Sequence, residues 1–114
     1  MKAALIEKNG GPEVLIYGDL PDPVAGPGQV VVDIHAASVN AADWKVRADE
    51  YGSSLEFPYV LGRDFSGIVS ALGEGVDDFA IGDEVFGVCD VGQEAAYAEK
   101  IAMKAAIIAR KPDG

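Results

Sequence analysis

Most side chains with chemical potential fall between Asn40 and Asp64: Asn40, Asp43, Lys45, Tyr51, Arg63 and Asp64. Asn40 offers amide donors and an acceptor that could hold a carbonyl; the same residue suits the N-cap of a helix beginning at Ala41. Lys45 could bring positive charge to a developing oxyanion, or simply sit solvated on that helix. Tyr51 carries a phenol that could donate a proton or anchor a loop. Arg63 and Asp64 are adjacent charges in an apolar block, where charges either pair or wall a cleft. Asp43 stands near the positive end of the helix dipole, with Arg47 four residues on as a side-chain partner.

Other chemistries find fewer parts. His35 is the only histidine, and no Gly-x-Ser-x-Gly elbow exists to build a nucleophilic triad around it. Cys89 is the only cysteine, which rules out an intrachain disulfide or redox pair and fits a small buried hydrophobe. The nearest thing to a phosphate-cradling Gly-x-Gly-x-x-Gly is Gly73-Glu74-Gly75-Val76-Asp77-Asp78. Its third glycine is an aspartate, and two carboxylates would face the phosphates, so the run is a decoy. With 19 acidic against 9 basic residues the net charge is −10, which repels nucleic acid and anionic lipid surfaces. No run approaches the roughly 20 apolar residues of a membrane helix, and no secretory leader is visible, so a cytoplasmic location is expected.

The elements that must position these groups are short. The 114 residues suit one domain, 1–114, and frequent glycine between short apolar runs points to a mainly β chain. Strands are expected at Lys2–Lys8 and Glu13–Gly18, joined by an Asn9-Gly10 turn whose residues tolerate positive φ. The Pro-rich piece Leu20–Gly28 cannot hold a ladder and reads as an extended connection. Gln29–Ala37 alternates clearly, with Val30, Val32 and Ile34 on one face and Val31, Asp33 and His35 on the other. A short helix follows from Ala41 to about Ala48. Phe65–Leu72 is another strand, Gly82 supplies a turn before a buried strand built on Val85 and Val88, and Gly92–Ile101 gives one more. Ala102–Ile108 reads as a helical turn plus a short strand. Six or seven strands with one or two short helices suggest a partly open β-barrel.

Two blocks, Val39-Asn40-Ala41-Ala42-Asp43-Trp44-Lys45 and Pro58-Tyr59-Val60-Leu61-Gly62-Arg63-Asp64-Phe65-Ser66-Gly67, together resemble the N-terminal GroES-like domain of the medium-chain dehydrogenase/reductase superfamily. Its zinc alcohol dehydrogenases have Cys where Asn40 stands, and Gly-His-Glu in place of Gly62-Arg63-Asp64. Asn is a poor zinc ligand and Arg carries a permanent charge, so the resemblance implies the metal-free branch of quinone and enone reductases. In that family the segments matching Asn40–Lys45 and Gly62–Asp64 line the cleft near the nicotinamide. The resemblance therefore implies NADPH held mainly by a Rossmann domain beyond this one, no zinc, a quinone or enone substrate, and a homodimer of the longer enzyme. On that cleft the candidate groups are Asn40 and Tyr51 as catalytic residues, Tyr51 with a loop anchor as its other role, Asn40 and Lys45 at the cofactor, and Asp43, Arg63 and Asp64 as cleft or structural residues. A free-standing GroES-like binding or assembly module without activity is the alternative.

Overall fold

The computed structural model describes residues 1–50, 55–89 and 95–112. Eight strands, all paired antiparallel, form two sheets: β1 (Lys2–Ile6), β2 (Leu15–Asp19), β3 (Gln29–Ala37), β4 (Tyr59–Val60), β5 (Asp64–Leu72), β6 (Glu84–Val88), β7 (Lys100–Lys104) and β8 (Ile108–Arg110). The smaller sheet runs β2-β1-β4 and the larger β7-β3-β5-β6-β8. Among the described residues one α-helix, α1, covers Ala41–Arg47. This is the expected mainly β, GroES-like architecture, and its barrel stays open. No helix among the described residues is long and apolar enough to cross a membrane, which leaves β-barrel spanning unaddressed.

The β3 alternation buries Val30 and Val32 completely, where they pack with Val69, Val85, Ile101 and Met103 between the faces of the larger sheet. Val31, expected on the polar face, is also buried, and it shares a groove with Pro23, Val24 and Ala25 of the Pro-rich connection. Gly67 of β5 lets β3 approach closely: a Cβ there would lie 2.0 Å from the Asp33 carbonyl oxygen. A second core of Ile6, Val14, Val46 and Leu61 seats α1 on the smaller sheet.

Several expectations change. The strand expected from Glu13 begins at Leu15, because Pro12–Val14 forms a 3-10 turn that drives Val14 into the core. The Asn9-Gly10 pair does not use positive φ. Instead the Asn9 amide donates to the Val46 and Arg47 carbonyls, satisfying the end of α1. In β6, Val85 is buried but Val88 is 58% exposed, since residues three apart on a strand face opposite ways. Gly82 does take positive φ before that strand.

Of the strand expected over Gly92–Ile101, positions 92–94 lie outside the described residues, and from Ala95 on the strand begins at Lys100, because residues 97–99 are shared between the sheets. The Ala4 N–H donates to the Tyr97 carbonyl and the Glu99 N–H to that of Lys2. The Ile34 N–H then donates to the Glu99 carbonyl, passing the chain to β3. The helical turn and short strand expected over Ala102–Ile108 come later: Ala102–Lys104 belongs to β7, the turn is the 3-10 segment Ala105–Ile107, and the strand is β8, running to Arg110. The two-residue β4 was not anticipated.

Candidate active site

Asn40 ends the run from β3 and begins α1 in extended conformation, φ −119° and ψ 158°. Its side-chain nitrogen lies 3.2 Å from both Ser38 Oγ and Asp64 Oδ2. Ser38 donates its N–H (3.0 Å) and its hydroxyl to Asp64 Oδ1. Asp64, the first residue of β5, thus collects three donors that tie it to the loop before the helix. The Ser38 hydroxyl above all, with the Ser38 N–H and the Asn40 amide after it, holds the Asp64 carboxyl below the ordinary range against the opposing effect of burial.

Asp43 is only 3% exposed. Its Oδ2 accepts the Asn40 backbone N–H at 2.8 Å, one half of a capping box, and the Tyr97 hydroxyl at 2.6 Å. Its Oδ1 is buried without a partner among the described residues. Burial first, then the bond to Asp43, pushes the Tyr97 phenol well above its usual range, so it stays a neutral donor. The expected Asp43–Arg47 pair does not form: the Arg47 Nε donates to the Gly10 carbonyl at 3.2 Å, since Asp43 points into the fold and Arg47 along its surface.

Arg63 and Asp64 do not pair with each other either. Successive residues point apart, and the Arg63 guanidinium donates to the Cys89 carbonyl at 3.3 Å while Asp64 faces Ser38. Cys89 itself is buried in the core and forms no intrachain disulfide. Lys45 makes no ion pair among the described residues; its ammonium sits 5.8 Å from the centre of the Trp44 ring, within cation–π range. His35 is exposed on the surface. Tyr51 lies outside the described residues.

Beside this network an open groove of about 440 Å³ is lined by Ala36, Ala37, Phe65, Phe86 and Val88, with Ser38 and Asp64 at its polar rim. The structure thus brings Asn40, Asp43 and Asp64 together, and sends Arg63 toward Cys89. Two further residues belong to the network. Ser38 precedes Asn40 by two positions and its hydroxyl was legible as a local partner, whereas nothing in sequence links Tyr97 to Asp43, 54 positions away.

Residues 26–113 match the alcohol dehydrogenase GroES-like domain family. The chain belongs to that family. It is 39% identical over 100 residues to a quinone oxidoreductase of Sus scrofa, covering 86% of this chain and 30% of that protein. To the trans-enoyl reductase fsr4 of Gibberella fujikuroi it is 46% identical over 100 residues, covering 87% of this chain and 28% of the other. The structure of mycobacterial Rv1454c complexed with NADPH superposes with a TM-score of 0.88 at 33% identity, covering 99% of this chain and 34% of that one. The chain therefore spans about 30% of the length of the first of these relatives.

A metal has little to hold it here. Among the described residues no cluster of three His, Cys, Asp or Glu forms. Asn40 and Arg63 add no thiolate, imidazole or carboxylate, the donors zinc requires. Toward a nicotinamide nucleotide the helix offers one positive charge, Lys45, five residues beyond the N-cap Asn40 and in no ion pair among the described residues.

Proposed function

We propose that residues 1–114 are the substrate-side domain of a zinc-independent, NADPH-dependent reductase of quinones or enones, working beside a separate dinucleotide-binding domain. The observation that carries this reading is an apolar groove with Ser38 and Asp64 at its rim, both in contact with the Asn40 amide behind them. Such a groove suits a flat, largely apolar substrate that has one polar end. The relatives named for quinone and enoyl reduction support the same class.

Bound NADPH would supply the hydride. The chain's own residues would receive the substrate and balance the charge. Both hydrogens of the Asn40 amide rest on contacts of 3.2 Å, at the long end for hydrogen bonds, so either can be exchanged for a substrate carbonyl or a cofactor group. Lys45 would stand near the cofactor ribose or a developing enolate, where its positive charge favours the reduced, anionic oxygen. Tyr51 is assigned the proton donation that completes enone reduction. Asp43 and Asp64 hold the framework, and Arg63 fixes the wall toward Cys89.

The test is Asn40→Ala in the protein joined to its cofactor domain. A fall of about tenfold in kcat/KM with little change in Tm is expected, the size of one lost transition-state hydrogen bond. Unchanged kinetics would remove Asn40 from the mechanism. Absence of any NADPH-dependent reduction across a panel of quinones and enones would favour the non-enzymatic binding module.

A further inference from the structure

We infer that Tyr97 is a positioning residue for Asn40, acting through the buried carboxylate of Asp43. The two donors to Asp43 Oδ2 come from opposite sides: the Asn40 backbone N–H at 2.8 Å from the helix entrance, and the Tyr97 hydroxyl at 2.6 Å from the segment between the sheets. Oδ1 has no donor, so these two bonds are the only side-chain partners of a nearly sealed carboxylate among the described residues. Removing one leaves the remaining bond to hold a buried charge alone, a situation proteins avoid.

Tyr97 is itself fixed firmly enough to transmit position. Its N–H donates to the Leu61 carbonyl at 2.8 Å and its carbonyl accepts from Ala4 at 2.8 Å. Gly62, at φ +109°, allows that approach: any Cβ there would lie 2.7 Å from the Tyr97 backbone nitrogen. Tyr97 therefore joins β1, the Leu61-Gly62 turn and the first turn of α1 in one hydrogen-bonded chain. The position of Asn40 relative to Asp64 and the groove depends on that chain, although Tyr97 itself is placed in no contact with substrate.

The importance of Asn40 for catalysis rests on the proposed function; its placement by Tyr97 does not, and the two are measured separately. In the 114-residue chain, Tyr97→Phe keeps the ring and deletes the donor. The Asn40 backbone amide is expected to shift in the NMR spectrum and to lose about tenfold in hydrogen-exchange protection, while amides of β6 and β8 keep theirs. Uniform loss of protection, or an unmoved Asn40 amide, would overturn the inference. Should the variant fail to fold, a chain labelled with 3-fluorotyrosine, whose phenols are more acidic but hardly larger, is read for the same Asn40 shift; an unmoved resonance again refutes. In the enzyme joined to its cofactor domain, Tyr97→Phe should lower kcat by about tenfold with KM nearly unchanged. A moved amide with unchanged kcat would leave Tyr97 positioning Asn40 and count against the catalytic role of Asn40 alone.

Discussion

Asp64→Asn tests the rim of the groove most directly, because the substitution keeps size and removes charge. The new amide can place its oxygen where Oδ1 lies and keep both Ser38 donors, now as neutral hydrogen bonds. Its nitrogen must then face the Asn40 amide nitrogen, 3.2 Å from the present Oδ2, so one attraction becomes a clash of donors. Charge-assisted bonds are about twice as strong as neutral ones, each losing roughly 1 kcal/mol on neutralisation. Asp64 is half-exposed, and solvent screening reduces the total to about 1–2 kcal/mol. The sign with pH follows from the depressed carboxyl. Because the folded-state value lies below the ordinary 3.8, this stabilisation is complete above the unfolded value and disappears as pH falls through the folded one. Urea unfolding of both proteins at pH 7, and again in steps below pH 4, provides the assay. Equal midpoints at pH 7 would show that the cluster contributes nothing, and a gap persisting in strong acid would show that its charge is not the source.

Other substitutions probe the frame. Gly67→Ala forces a Cβ against the Asp33 carbonyl, so β3 and β5 must separate by more than 1 Å from an ordinary C···O contact of about 3.3 Å; a loss of at least about 3 kcal/mol, or failure to fold, is expected in thermal melts. Ile6→Ala empties the small core beneath α1 and should cost about 2–5 kcal/mol by urea titration, whereas a loss under 1 kcal/mol would mean the helix is seated by other contacts. Asn9→Ala strips the Val46 and Arg47 carbonyls of a shared donor and should cost about 1 kcal/mol, with increased hydrogen exchange confined to the end of α1.

Much of this architecture was legible because it follows local rules. The alternation of β3, the start of α1 after Asn40 and the turn at Gly82 depend on residues a few positions apart, and each stands where its pattern predicts. The meeting of Asn40 and Asp64 was legible for a similar reason, since they fall in two compact blocks. What stayed hidden depends on partners distant in sequence. Asp43 looked available to Arg47 by helical spacing, but burial turned it toward Tyr97. Val31 looked polar-facing, yet it is buried and shares a groove with the Pro-rich segment. The Asn9-Gly10 pair carried a hairpin signal, and the exposed end of α1 used Asn9 instead. Arg63 and Asp64 are neighbours in the chain, yet strand geometry separates their side chains and assigns each a remote partner.

The handover at residues 97–99 also bears on how the chain is made. Lys2 and Glu99, which meet there, are 97 positions apart. At synthesis rates of 5–20 residues per second, β1 leaves the ribosome roughly 5–20 s before its partner exists. During that interval β1 has only the β2 ladder and then the two-residue β4 beside it, and such small sheets are marginally stable. Leu15, Ile16 and Tyr17 of β2, which stay exposed in the finished fold, add apolar surface to that small sheet. The segment that gives Asp43 its Tyr97 bond thus also joins the two sheets, and a chain interrupted before Tyr97 would lack both.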